Sequence, residues 1–388
     1  MLRPSIPATD GSCIRPLIGA FALLALSACG SQPAAAPAVV PSGSAAAAAS
    51  TAWDDLAAVA RKEGKVSIIT QPGNPYRLAM DDFQKQFGIS VDIFAGNTQD
   101  EILSKVGTER QAGQYNWDLI MRSATQIHSG LKPMNALDPI RPLLTQPGIL
   151  DDSKWIGGFD AGWADTAKSL AYTFVAYQDH TVWVNRNVVS EGQFNSVDQL
   201  WDPQWRGKIA SQDMRVPSNA TTTMINWLVL KGDDKVRTLL RDQQLTLTQD
   251  RRQLAEWVIR GQYPIGIAVD GPTMTDLANQ GVDVSQVKPL TGDDPATVKL
   301  SHGPGTVALF NRAPHPAAAK LLLNWILSRE GETAYAQRTG YNVRRVDVPP
   351  VNPDAAVDPK RSYVETDTEQ AYNSYYPREL QIAKEELK

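Results

Sequence analysis

Residues 65–121 read KVSIITQPGNPYRLAMDDFQKQFGISVDIFAGNTQDEILSKVGTERQAGQYNWDLIM, and the alternation inside this stretch decides the fold. Lys65–Thr70 (KVSIIT), Ser90–Ala95 (SVDIFA) and Asp118–Met121 (DLIM) are short runs rich in β-branched and apolar residues, as strands are. Between the first two, Tyr76, Met80, Phe83 and Phe87 recur at helical spacing, and Gly88 ends that helix. Between the second and third, Ile102 and Val106 mark a helix over Gln99–Ala112. Strand and helix in strict alternation build a parallel α/β layer. In such a sheet a ligand sits beyond the carboxyl ends of the strands. Here those ends are the loops Gln71–Asn74, Gly96–Thr98 and Arg122–Gln126, and they nominate Gln71, Asn74, Asn97, Arg122, Ser123 and Thr125 as binding residues.

Toward the N-terminus, Trp53, Leu56, Ala57 and Ala60 form one face of a helix that Thr51 can cap and Gly64 stops. Gly30–Ala52 carries no charge and little but Ala, Pro, Ser and Gly, the composition of a flexible tether. Arg3 and Arg15 make a positive leading region, and Leu17–Leu26 is apolar but shorter than the roughly 20 residues that span a bilayer. The reading is a signal peptide. Its end, Leu26-Ser27-Ala28-Cys29, resembles a bacterial lipobox, which makes Cys29 the lipidated first residue of the mature chain. The protein is then exported and held on the outer side of the cell membrane by its lipid.

Toward the C-terminus, Ala171–Ala176 and Thr181–Asn185 are β-rich with no helix between them, which breaks the rhythm and marks a crossing into a second lobe. Lys208–Ser211 is a strand, Ser218 or Asn219 caps a helix that Gly232 closes, and Asp250 caps another that Gly261 closes. Pro264–Val269 and Thr306–Phe310 are further strands, and Pro316 stands in the first turn of a last helix.

The 388 residues carry a formal net charge of −4, and loss of Arg3, Asp10 and Arg15 with the leader makes it −5. Mild acidity argues against nucleic acid as a partner and against electrostatic membrane binding. With Cys13 in the leader and Cys29 lipidated, no cysteine is left for a disulfide or a thiolate metal site. No nucleophile elbow, HExxH zinc helix, phosphate-binding P-loop or dinucleotide fingerprint occurs, so the chain does not read as an enzyme. His128, His180, His302 and His315 are scattered, so no metal and no cofactor is expected.

Three segments carry a family resemblance: Ala60–Val66 (ARKEGKV), Asp198–Ile209 (DQLWDPQWRGKI), and Ala313–Lys320 (APHPAAAK) leading to Asn324–Gly331 (NWILSREG). In these the chain resembles the extracellular solute-binding proteins of ABC importers, within the branch that includes ferric-ion-binding proteins. The resemblance implies an α/β protein of two lobes, the type II periplasmic-binding fold, each lobe a mixed sheet flanked by helices with the ligand cleft between. On that plan residues 53–180 and 291–345 form one lobe, 181–290 the other, and 346–388 a tail packed on both. It also implies a small-molecule solute, a membrane permease as partner, a monomer, and capture by hinge closure.

The ferric branch uses adjacent tyrosines after a late strand of the second lobe, often with a histidine in the first loop and a glutamate after the third strand. This chain has Asp270-Gly271-Pro272-Thr273 at the first place, no histidine in Gln71–Pro75, and no carboxylate in Arg122–Thr125. Fe(III) needs several hard oxygen donors, so the usual site is missing, and Tyr375-Tyr376 lies outside the motif in the tail. Ferric iron on a non-standard site and an exported enzyme stand as the alternatives. The preferred ligand is a small anionic organic molecule. Arg122, Arg215 and Arg251 (or Arg252) fall at strand ends or helix starts, where arginine forks suit carboxylate or phosphonate. The helix starts near Ser218 and Asn219 add amide donors, Asp213 joins the nominated binding residues, and Asp270 is nominated as the one carboxylate suitably placed for the iron alternative. Against this, each arginine can be spent on a nearby acid such as Asp213 or Asp250, and Trp163, Tyr172 and Tyr177 can be core or cleft lining.

Overall fold

Val66, Ile68, Leu119 and Met121 turn to one face of a sheet while Ile69 and Ile120, one residue out of step, turn to the other, because successive strand residues point to opposite sides. A computed structural model describes residues 42–387 except Asn97, and one compact unit runs from Ala45 to the C-terminus. The chain forms, in order, α1 (Ser42–Glu63), β1 (Lys65–Thr70), α2 (Asn74–Phe87), β2 (Ser90–Ala95), α3 (Gln99–Gln111), β3 (Leu119–Arg122), the short α4 (Ala124–Gln126), β4 (Leu137–Asp138) and β5 (Ala171–Thr173). Then come β6 (Tyr177–His180), β7 (Val182–Asn185), β8 (Ile209–Gln212), α5 (Asn219–Lys231), α6 (Asp233–Asp242), β9 (Thr246–Thr248), α7 (Arg251–Ile259), β10 (Ile265–Ile267) and α8 (Gly271–Asn279). The last are β11 (Val287–Pro289), β12 (Val298–Ser301), β13 (Thr306–Phe310), α9 (Pro316–Ile326), α10 (Arg329–Thr339) and α11 (Glu369–Glu386).

The first sheet has the order β2-β1-β3-β13-β4, with β5 also on β13. β1 lies parallel to β2 and β3, and β13 returns antiparallel to β3. Phe83 and Met80 of α2 and Leu322 and Trp325 of α9 cover one face, and Ile102 and Val106 of α3 the other. The second sheet has the order β11-β7-β10-β8-β9; Val184, Ile209 and Ile265 meet α5 and α6, while Ala210 and Val269 meet α7 and α8. The two sheets make two lobes. An antiparallel ribbon of β6 and β12 stands between them, with Asp179 opposite Lys299 and Tyr177 opposite Ser301.

The segments that carry the family resemblance do structural work. Glu63 accepts the Ala317 and Ala318 N–H groups at 3.1 and 2.8 Å, so the first segment caps the helix that the third one starts. His315 places Nδ1 2.8 Å from buried Asp118, which also accepts the Ser67 N–H at 2.7 Å. Asn324 ties α9 to Leu143, Thr145 and Gln146. A Cβ on Gly331 would stand 1.9 Å from the Trp325 carbonyl oxygen, so only glycine lets α10 start against the end of α9.

The expected tether and its helix need correcting. α1 begins at Ser42, so the end of the tether is helical and Thr51 lies inside the helix instead of capping it. The Ala45–Ala49 run is strong helix former and extends the helix backward. The signal peptide, Cys29 and the remainder of the tether lie outside the described residues.

Candidate functional site

Three strand ends of the first lobe converge on Arg122. Its guanidinium donates from Nη1 to the Thr70 and Gly96 carbonyls, each at 3.2 Å, and from Nε to Gln126 Oε1 at 2.7 Å. The residue is 3% exposed and, among the described residues, forms no ion pair. Burial lowers its pKa to about 10, with Tyr76 and Glu101 acting the other way. At neutral pH it therefore stays a buried cation held by neutral acceptors, an arrangement that is costly without a counter-charge.

From the second lobe comes Arg251, the first residue of α7, presented by its cap Asp250. Nη1 lies 3.7 Å from Asp270 Oδ1, beyond hydrogen-bond length, and the guanidinium makes no hydrogen bond among the described residues. Half of its side-chain surface is open to solvent, yet Asp270, Tyr341, Tyr177 and Tyr76 all act on its charge, so it stands in a walled cleft rather than on a convex surface. The Asp270 carboxylate, the strongest of these influences, holds the Arg251 pKa above its usual value against the opposing effect of burial. Asp270 is itself fixed as the cap of α8, its Oδ2 accepting the Thr273 N–H at 3.0 Å and hydroxyl at 2.7 Å. Just before it Ala268 adopts φ 59°, a left-handed conformation costly for a residue with a Cβ, as found where a loop is held in a functional shape.

Tyrosines fill the space between these charges. Tyr76 comes from α2, Tyr177 from the ribbon and Tyr341 from the turn after α10. The Tyr177 and Tyr341 rings lie 5.3 Å apart, and Tyr76 and Tyr335 lie 6.3 Å apart. Ser301 donates to the Tyr177 hydroxyl at 3.1 Å. Burial pushes the Tyr76 phenol up to about 12 and those of Tyr177 and Tyr341 well above their ordinary value, and the Asp270 carboxylate adds to each. The phenols thus remain protonated and can donate hydrogen bonds. An open groove of about 520 Å³ on the second lobe, lined by Gln249 to Arg252 and by Thr273, Asp276, Leu277 and Gln280, runs along Arg251.

The other nominated residues fall as follows. Gln71 lies partly buried just past β1, and Asn74 is exposed at the start of α2. Ser123 and Thr125 flank the Arg122 guanidinium along the chain at α4, Ser123 without a capping bond. Asn97 lies outside the described residues. Arg215 is spent: Nε and Nη2 grip both oxygens of Asp213 at 2.9 and 3.0 Å. Ser218 caps α5, accepting the Thr221 N–H and donating to the Asp213 carbonyl. Asn219 accepts from Lys299 at 2.7 Å. Arg252 is bound to Glu256 and Gln280. Trp163 and Tyr172 belong to the core with Trp155 and Phe159. Sequence reasoning passed over Tyr76, whose spacing placed it on the apolar face of α2, and Tyr341, which no local pattern marks. Among the described residues no cluster of three or more His, Cys, Asp or Glu side chains could hold a metal ion.

The bacterial extracellular solute-binding protein family matches residues 78–368, most of the chain. The chain belongs to that family. No curated protein matches it in sequence. Among solved structures, iron-bound HitA from Pseudomonas aeruginosa is similar with a TM-score of 0.64 at 14% identity, covering 83% of this chain and 98% of that one. AfuA from Actinobacillus pleuropneumoniae with fructose-6-phosphate bound gives 0.60 at 18% identity, covering 84% and 98%. The Bordetella ferric binding protein gives 0.61 at 19%, covering 83% and 98%. At these identities the likeness establishes the shared two-lobed fold. Family membership makes the chain an extracytoplasmic solute-binding component of an ABC transporter, and the proteins of this family are binding proteins rather than enzymes.

Proposed function

We propose that this solute-binding protein captures a small organic anion between its lobes, with Arg122 on one side and Arg251 on the other, and delivers it to its permease. The carrying observation is that Arg122 has only neutral acceptors and Arg251 no hydrogen bond among the described residues, whereas Arg215 and Arg252 are spent on protein groups. An anion shared by the two guanidiniums contacts both lobes only when they close on it, and so favours closure. The protonated phenols of Tyr76, Tyr177 and Tyr341 supply further donors to its oxygens. The same reading places the mature chain on the membrane through a lipid at Cys29, working as a monomer. Fructose-6-phosphate on AfuA is a solute of the proposed class on a related fold.

Ferric iron is the second reading, and the gathering of three phenols with Asp270 is what favours it. Arg251 beside Asp270 weighs against it, since a trivalent cation would meet a fixed positive charge 3.7 Å from its one carboxylate. Thermal unfolding against a panel of small carboxylates and sugar phosphates, with Fe(III) as a separate arm, tests the choice. A ligand at a hundredfold excess over its Kd adds about 2.7 kcal/mol, a shift of a few degrees. We expect that shift with an organic anion and its loss in Arg251→Gln. Stabilisation by Fe(III) alone, with the visible colour of iron–phenolate, would overturn the reading.

A further inference from the structure

Helix α11 and the segment before it belong to neither sheet and touch both lobes. The segment first follows the ribbon: Gln178 of β6 donates to the Ala356 carbonyl, Arg361 donates to the Asp294 carbonyl at 2.7 Å and the Thr297 hydroxyl at 2.8 Å, and His302 Nε2 lies 3.1 Å from Glu365. Thr368 then caps α11. The first helical residue, Glu369, is fixed on the first lobe. Its N–H donates to the Ala164 carbonyl at 2.8 Å, its carboxylate accepts the Thr166 N–H at 2.9 Å, and Lys132 pairs with it.

The remainder of the helix lies on the second lobe. Ile382 and Ala383 are 1% and 0% exposed within the core that contains Val184 and Ile265. Arg378 reaches Asp233 at the start of α6, and Arg237 of α6 reaches Glu385 and Glu386 at 2.7 and 2.8 Å. The 18 residues of α11 span about 27 Å at 1.5 Å per residue, so one helical rod connects the lobes beside the β6–β12 ribbon.

We infer that residues 356–387 form a strap whose contact at Glu369 holds the lobes in the arrangement seen here, so that lobe movement requires this contact to open. The two ends of the strap differ in kind. At the second lobe it is anchored by buried apolar side chains, which leave their site only by exposing apolar surface to water. At the first lobe it is anchored by hydrogen bonds and one ion pair with Lys132, whose side chain is 32% exposed. Water and salt compete for such a pair, which makes it the weaker hold. The Glu369 end is therefore the one that lets go, and the rod then travels with the second lobe.

The test measures the distance between the lobes in the ligand-free full chain, so it does not depend on which solute binds. Spin labels at Lys85→Cys and Lys288→Cys, in a chain with Cys13→Ser and Cys29→Ser, report that distance by pulsed electron resonance. Lys132→Ala and Glu369→Gln should shift or broaden the distance distribution with little change in melting temperature. Arg378→Ala, which removes an ion pair inside the second lobe's own contact, should leave it unchanged. Superimposable distributions for the parent, Lys132→Ala and Glu369→Gln would overturn the strap, as would an equal shift in Arg378→Ala.

Discussion

Lys299 sits on the ribbon with its side chain 1% exposed, its ammonium 2.6 Å from Asp179 and 2.7 Å from Asn219 at the start of α5. The pair fixes the two ribbon strands to each other and to the second lobe. Removing one partner of a buried pair strands the other charge without water, at a cost of about 3–5 kcal/mol. Lys299→Met should therefore lose stability on that scale in urea unfolding. Adding Asp179→Asn should recover part of it, because no charge is left stranded. A single mutant within about 0.5 kcal/mol of the parent would show that the pair is not a buried one. At this scale the sequence was partly legible. Arg122, Arg251 and Asp270 could be named because each follows a strand end or starts a helix, where an α/β sheet puts its ligand. Arg215 could not be told apart, since whether it grips Asp213 or a solute depends on a turn geometry that spacing alone does not fix. Tyr341 was invisible, because its place in the cleft depends on a ring contact with Tyr177, far away in the chain.

Among the elements, α11 departs furthest from the sequence pattern. Pro377 interrupts it, and its buried positions include Glu379 among Tyr376, Ile382 and Ala383, so the apolar stripe that announces a helix is broken. Among the described residues neither oxygen of Glu379 has a hydrogen-bond partner, and burial raises its pKa from 4.5 to about 9. The folded state then keeps a proton that the unfolded chain releases between those pH values. Stability must fall as pH rises across that window, by up to about 1.4 kcal/mol per unit, and be fullest below the unfolded pKa. Glu379→Gln should remove this slope, so that the variant gains on the parent between pH 5.5 and 8 in denaturant unfolding. Parallel pH profiles would contradict it. α6 and α10 were also missed, α10 because its contact with α9 rests on Gly331 rather than on an apolar stripe. By contrast β1, α2, β2, α3 and β3 were legible in order and type, with β3 one residue later than expected, since alternating periods of two and of three to four residues leave few other structures open.

For the whole molecule, the two sheets and the ribbon make a body in which, on the proposed reading, the cleft gathers positive charge from both lobes. The crossing was visible in the sequence as β-rich segments without a helix. The return of β13 to the first sheet is a long-range pairing that no local pattern carries. The acidic chain has net charge −4, so the cleft is a local exception set by two arginines lacking carboxylate hydrogen bonds rather than by overall charge. Native mass spectrometry of the protein purified without denaturation tests whether these two arginines hold an anion. We expect an added mass of one small organic anion on the parent, lost in Arg122→Gln and in Arg251→Gln. An adduct of iron alone, or an organic adduct that both variants keep, would contradict it.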